Sequence, residues 1–467
     1  MEERESDLRK FGGITRLRLR APSREASVLI VVLWILFGLI SITLYFAHSM
    51  TFELRASDNR LAGIEAEQAI EGARRYITCV LSNVNETGVL PDPLTYLNEA
   101  VPVGNARYWL IGRDNDTNNS PTAPPFGLTD EAAKLNLNRA TSNMLICLPR
   151  MTPDLVANIL AWRSTNTTAL SGGAESDTYM RMNPPYLCKN APFETVDELR
   201  LVYEMDMDTL YGEDANLNNI LDPNENDGNL TPPNDNQDGK LDPGLLEYVT
   251  VYTQEAATTT NGAQRFNITT YSSTTKATLQ GIMTTNGITS ARASQILAAA
   301  DAAVLRTPFT STLQFFYTTG MTTTEFMQIE KSIRGASLVG LVNVNTAGQV
   351  VLSCLPGLTN GQAGQLVTYR ESNTNTLMLN QSVIWITQVL QQTDVLAAAP
   401  YITGFGYQYM ADVAAVGHNG RGYRRTRFIF DTSQGTPIIL HRQDLSQLGW
   451  ALGKDARTKW LLAKQTP

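Results

Sequence analysis

Val28-Leu-Ile-Val-Val-Leu-Trp-Ile-Leu-Phe-Gly-Leu-Ile-Ser-Ile-Thr-Leu-Tyr-Phe-Ala47 decides how the rest of the chain is read. It is a run of twenty residues without a charge, the length a helix needs to cross the hydrocarbon of a bilayer. Arg9, Lys10, Arg16, Arg18, Arg20 and Arg24 precede it, with few acids after Asp7. The positive-inside bias therefore places residues 1–26 in the cytoplasm as a basic leader and the long remainder on the other side. Tyr45, near the outer end, is placed as an interfacial anchor.

The helical pattern continues past the apolar run. From Met50 to Ile77 there is no proline, and helix formers dominate. Ala66, Ala69, Ile70, Ala73 and Ile77 recur at three- and four-residue spacing and share one face. The spacing predicts one helix over residues 27–77, with its membrane part at 28–47 and its outer part packed on a domain in water. The competing reading is a signal anchor followed by an unrelated helix.

The 467 residues allow two or three domains beyond that segment. A net charge of −8 and 18 % charged residues argue against a nucleic-acid surface. Cys79, Cys147, Cys188 and Cys354 form no CxxC pair, which leaves little support for zinc, and four cysteines allow three pairings. Catalysis finds no support either. His48, His418 and His441 are the only histidines, and no HExxH, GxSxG or phosphate loop is present.

Residues 78–127 read as loop-rich around one strand, Arg107-Tyr-Trp-Leu-Ile-Gly112. From Gly127 the character turns helical, reaching a tight Leu148-Pro-Arg-Met151 hairpin and a second helix with Thr152 as N-cap and Pro153 at its first position. The pattern returns 207 residues later. Asn136/Asn343, Asn138/Asn345, Ala140/Ala347, Leu145/Leu352, Cys147/Cys354, Pro149/Pro356, Thr152/Thr359 and Arg163/Arg370 are identical pairs in one register. This is an internal duplication of a helix-hairpin-helix unit. Such units can offer backbone amides to DNA phosphates, but Arg150 stands where the first hairpin would need glycine, so a packing module is the plainer reading.

Between the copies, Thr195 and Glu198 form a capping box ahead of a helix ending near Tyr203. Then Asp214, Asn216, Asn218, Asp222 and Glu225 fall at positions 1, 3, 5, 9 and 12 of a twelve-residue loop, with the Ile220 carbonyl at position 7. That spacing brings oxygens together on a hard cation and predicts calcium in a structural role. Asn219 replaces the usual glycine at the sharp turn, a substitution asparagine tolerates. A second copy, Asn234, Asn236, Asp238, Lys240 and Asp242, has Gly239 in place but Leu245 at position 12. It needs another donor, with Asp227, Asp235 and Glu247 as candidates.

Leu246–Tyr252 reads as a strand, and Ser290–Ala302, Ser311–Tyr317 and 381–394 as helices. Beyond Gly404 the period becomes two, predicting three antiparallel strands over 406–416, 423–430 and 437–442. Arg424, Arg425 and Arg427 then lie on a solvated strand face.

The basic leader, the helix that runs on amphipathically, the hairpin copies, Pro192-Phe-Glu-Thr-Val-Asp-Glu-Leu199, the two calcium-type loops and the closing strands together resemble protein K, a minor pseudopilin of type II secretion. The resemblance implies an α+β, type IV pilin-like fold, a long N-terminal helix plus an antiparallel sheet, with a large mainly helical inserted domain at 128–400. The pilin-like part would comprise 78–127 and 401–467. It further implies a non-enzymatic protein that starts and caps the tip of a periplasmic pseudopilus, with minor pseudopilins I and J as partners and bound calcium. Its anchor would be a single inner-membrane pass, and it would contact secreted proteins but no nucleic acid. A prepilin peptidase would cut between Ala26 and Ser27. Counting from Ser27, the position where pilins carry a core glutamate is Val31. A subunit with no neighbour above it loses nothing by lacking that buried charge. The alternative is an extracytoplasmic DNA-uptake protein using its hairpin pair.

Overall fold

The computed structural model describes residues 24–84, 87–113, 125–165, 172–373, 382–453 and 456. Most of the basic leader and the polar tract 114–120 lie outside the described residues. Helix α1, Arg24–Ser82, is continuous over 59 residues. Val28–Ser82 contains a window apolar enough to cross a membrane, with none of that window buried. Further along, Ala66, Ala69, Ala73 and Ile77 are at most 1 % exposed, as the helical spacing requires.

The strands are β1 Val101–Val103, β2 Ala106–Ile111, β3 Thr129–Asp130, β4 Leu135–Asn136, β5 Val249–Thr250, β6 Phe266–Asn267, β7 Ile333–Arg334, β8 Val342–Asn343, β9 Ile402–Thr403, β10 Gln408–Val416, β11 Arg424–Asp431 and β12 Ile438–Asp444. Six form one antiparallel sheet in the order β1-β2-β10-β11-β12, with β3 also on β10. One face of β2, β10 and β11 places Tyr108, Leu110, Tyr409, Val413, Phe428 and Phe430 in one core with Ile70, Ile77 and Leu81 of α1. The β10–β11 turn lies against the same helix. A Cβ at Gly422, whose φ is +68°, would fall 2.3 Å from the Ala62 carbonyl carbon, so only glycine fits there.

Between β3 and β10 the chain leaves this sheet and builds a second core around residues such as Leu145, Ile159, Trp162, Leu352 and Leu366. The two copies share several equivalent bonds. β4 pairs in parallel with β5, and β8 with β9. Leu137 N donates to Thr250 O at 2.8 Å and Val344 N to Thr403 O at 3.0 Å. Asn136 Oδ1 accepts from Asn138 N at 2.9 Å and Asn343 Oδ1 from Asn345 N at 3.0 Å. Arg163 closes back on the Leu137 and Ala140 carbonyls, as Arg370 does on Val344 and Ala347.

One turn recurs five times among the described residues: a positive-φ residue, an apolar residue, then a capping side chain. The triplets are Arg150-Met151-Thr152, Glu204-Met205-Asp206, Gly287-Ile288-Thr289, Gly320-Met321-Thr322 and Gly357-Leu358-Thr359, with φ of 62°, 64°, 95°, 61° and 81° at their first residues. In each, the third residue's side-chain oxygen accepts from the N–H three residues on, at 2.6 to 3.4 Å. The left-handed residue reverses the chain and the capping residue starts the next helix. The sequence reading finds two of these because only they keep the Leu-Pro signature.

Two expectations change. The stretch after Gly127 is not helical: it forms β3, a short 3-10 turn and β4. Asp130 caps Ala132 N with Oδ1 and takes Asn343 and Thr346 of the second copy with Oδ2, which fixes the segment to that copy instead of letting it coil. The strand read at Leu246–Tyr252 shrinks to Val249–Thr250, because Leu245–Glu247 turns as a 3-10 helix to bury Leu245.

Candidate functional site

The first acidic loop turns inward. Asp214 is 1 % exposed, and its Oδ1 and Oδ2 accept from Asn218 N and Asn219 N, each at 2.9 Å. Asn218 Oδ1 takes Ile220 N at 2.8 Å. Glu225 closes the ring, accepting from Ala215 N at 3.1 Å and Asp222 N at 3.0 Å. Asn216 and Asn218 both donate through Nδ2 to Asp222 Oδ2, at 2.7 and 3.0 Å. Asn219 adopts φ 59°, the turn for which it was read as a glycine substitute.

The electrostatics are unbalanced. Burial pushes Asp214 upward, and burial with the nearby Asp214 and Asp222 charges pushes Glu225 up to about 8. Asn216 Oδ1, at position 3, is buried with no hydrogen-bond partner. Among the described residues no three carboxylate, imidazole or thiol side chains converge as a metal centre of their own. A cation here would have to draw on amide oxygens and a main-chain carbonyl as well as carboxylates, a donor set that would suit a hard ion such as calcium and not zinc. The unsatisfied amide oxygen and the crowded carboxylates are what such an ion would relieve.

The second loop repeats the inner pattern. Lys240 N donates to Asp238 Oδ1 at 2.8 Å, as Ile220 N does to Asn218. Asn236 Nδ2 reaches Asp242 Oδ2 at 3.2 Å, as Asn216 reaches Asp222. The closing carboxylate comes from outside the loop: Glu213 Oε2 accepts Asp242 N at 3.0 Å, the same bond Glu225 makes to Asp222. A bridge between Gly212 and Pro243 sets Glu213 there. The sequence offered Asp227, Asp235 and Glu247 instead. Asp235 caps Asp227 N and Gly228 N, Asp227 holds Thr231, and Glu247 faces Arg113 at 3.3 Å. Glu213 precedes the first loop, so linear spacing gives no hint of it. Asn234 and Asn236 are exposed.

Of the β11 arginines, Arg424 is exposed as the solvated-face reading expects, but Arg425 and Arg427 are not. Arg425 is 0 % exposed and grips the equally buried Asp412 at 2.8 and 2.7 Å, while Arg427 reaches the same carboxylate at 3.1 Å. Burial opposes ionisation of Asp412, but Arg425 and Arg427 overrule it and hold the carboxyl well below the ordinary range. The alternation of β11 turns Arg425 toward Asp412, and the first acidic loop covers it: Arg425 donates to the carbonyls of Asn216 and Leu217 at 2.5 and 2.6 Å.

Val31 is 55 % exposed on α1, and Ala26 and Ser27 lie in the first turns of that helix. Arg150 directs Nη1 to the Asp208 carbonyl at 2.7 Å, so its guanidinium serves the turn packing. All four cysteines are free thiols, Cys147 exposed and its counterpart Cys354 buried.

Residues 129–211 match the family model described as type II secretion system (T2SS), protein K. The resemblance to protein K is shown over this segment. It contains the first hairpin copy and the Glu204-Met205-Asp206 turn, and ends just before Glu213 and the first acidic loop. No curated protein matches the chain. Among solved structures, a chain of the crystal structure of the GspK-GspI-GspJ complex from the enterotoxigenic Escherichia coli type 2 secretion system is 9 % identical, with a TM-score of 0.40 over 85 % of this chain and 99 % of that one.

Proposed function

We propose that the chain is a minor pseudopilin of a type II secretion system, a non-enzymatic part of the pseudopilus that starts and caps its tip. The observation that carries this is the protein K match over residues 129–211, in a chain that also has an apolar helix long enough to span a membrane. Minor pseudopilins I and J are the partners, and the inner membrane holds α1 before assembly. A prepilin peptidase cuts between Ala26 and Ser27. Val31 then stands where a shaft subunit would carry a charge, which favours an end position. The hairpin copies act as packing modules: Arg150 is engaged internally, and the net charge of −8 disfavours the DNA reading.

Calcium completes the inserted domain. Asp214, Asn216, Asn218, the Ile220 carbonyl, Asp222 and Glu225 hold one ion, and Asn234, Asn236, Asp238, the Lys240 carbonyl, Asp242 and Glu213 a second. The bound ion supplies positive charge that lets these carboxylates ionise together, as a fold-stabilising ligand. Co-expression with the two partner pseudopilins, followed by affinity capture of this chain, is expected to retain both in a defined complex. A chain that stays monomeric beside both would sink the assembly role.

A further inference from the structure

We infer that Arg113 and Arg425 are positioning residues for the cation loop at 214–225, an inference that rests on the calcium reading above. Both come from the sheet, Arg425 on β11 and Arg113 two residues beyond the end of β2. Arg425 binds the Asp412 carboxylate through Nε and Nη2, and its remaining reach goes to the loop. Nη1 donates to Asn216 O at 2.5 Å and Nη2 to Leu217 O at 2.6 Å. Arg113 Nη2 donates to the same Leu217 oxygen at 2.6 Å. Two buried guanidinium groups therefore grip the main chain at loop positions 3 and 4.

That grip falls where the loop needs it. Leu217 has φ 54°, a left-handed conformation leucine rarely adopts, and such strain persists only where the surroundings hold it. The residue before it, Asn216, has its carbonyl fixed by Arg425 and its Nδ2 on Asp222 and the Trp450 carbonyl. Its Oδ1 is left buried without a hydrogen-bond partner. Asp214 lies within electrostatic reach of both arginines. Through these contacts the sheet presets the oxygen that the ion would take, in the way outer-shell partners orient metal ligands. Lysine cannot substitute, because a single ammonium cannot hold Asp412 bidentately and two carbonyls at once.

The test uses the full chain in detergent, stripped with chelator and titrated calorimetrically with calcium alone. Arg425→Lys and Arg113→Gln are expected to weaken binding at the first loop by about tenfold or more, with binding at the second loop unchanged as an internal control. Arg427→Gln removes a guanidinium from Asp412 without touching the loop, and should leave first-loop affinity as it is. Where Arg425→Lys fails to fold, Arg113→Gln decides alone. Unaltered affinity in the folded loop-contacting variants overturns the inference, as does an equal loss in Arg427→Gln, which would make net charge and not position the cause. A wild-type chain that takes up no calcium removes the calcium reading and this inference together. Wild-type binding with unperturbed variants removes only the arginine role.

Discussion

The loops at 214–225 and 234–245 share a spacing and three equivalent hydrogen bonds, one of which the second loop makes to Glu213 outside it, yet they sit in opposite surroundings. In the first, Asp214 and Asn218 are at most 1 % exposed, the closing carboxylate is its own Glu225, and two arginines hold the main chain. In the second, Asn236, Asp238 and Lys240 are exposed, and the closing carboxylate is lent by Glu213. Spacing makes a loop capable of holding an ion. On the proposed calcium reading, burial and second-layer contacts would decide how much of the fold depends on the ion, since the same charge is worth far more where water is excluded.

The contrast is tested hardest at Asp412. Its replacement by asparagine leaves Arg425 buried without its counter-charge, a change that costs about 3–5 kcal/mol. Lys240→Ala, at an exposed position of the second loop, should stay within about 0.5 kcal/mol of wild type. Urea unfolding of both variants gives the comparison directly. Similar losses in the two would mean that the buried cluster does not distinguish the loops.

Next in size is removal of the ion. Free calcium at a hundredfold excess over its dissociation constant stabilises a fold by about 2.7 kcal/mol, so chelator should lower the melting temperature. Glu225→Gln should abolish most of that difference and Glu213→Gln a smaller part. An identical melting curve with and without chelator would reduce both loops to solvated acidic turns. If Glu213→Gln proves silent while the second loop still binds, its donor lies elsewhere.

What could be read from the sequence follows the range of the forces involved. The apolar run, the alanine stripe of α1, the closing strands and the Thr152 and Thr359 caps are set by neighbours within a turn or a strand, and they were legible. The spacing of oxygen-bearing side chains from which we propose a cation site is likewise local, because positions 1 to 12 belong to one loop. Arg425 was misread because strand alternation says which residues share a face but not what later covers it; here the cover is a loop some two hundred residues earlier in the chain. Glu213 was missed for the same reason: the Gly212–Pro243 bridge that delivers it joins segments the linear pattern keeps apart. The short parallel pairs β4–β5 and β8–β9 also escaped notice, since two-residue strands carry no periodicity.

The smallest expected effect separates the loops by solvent alone. Mobile ions screen exposed charges over about 8 Å at physiological strength and about 3 Å at 1 M, while buried groups are screened much less. Raising the salt from about 0.1 to about 1 M should therefore weaken calcium binding at the second loop severalfold and at the first by clearly less. Calorimetric titration of Glu213→Gln and Glu225→Gln isolates each loop for this purpose, because each variant lacks the closing carboxylate of the other site. Equal salt dependence would mean that the first loop opens to solvent before it binds. The arginine grip would then hold a closed, ion-free state in competition with the loaded one, and Arg113→Gln should tighten binding instead of weakening it.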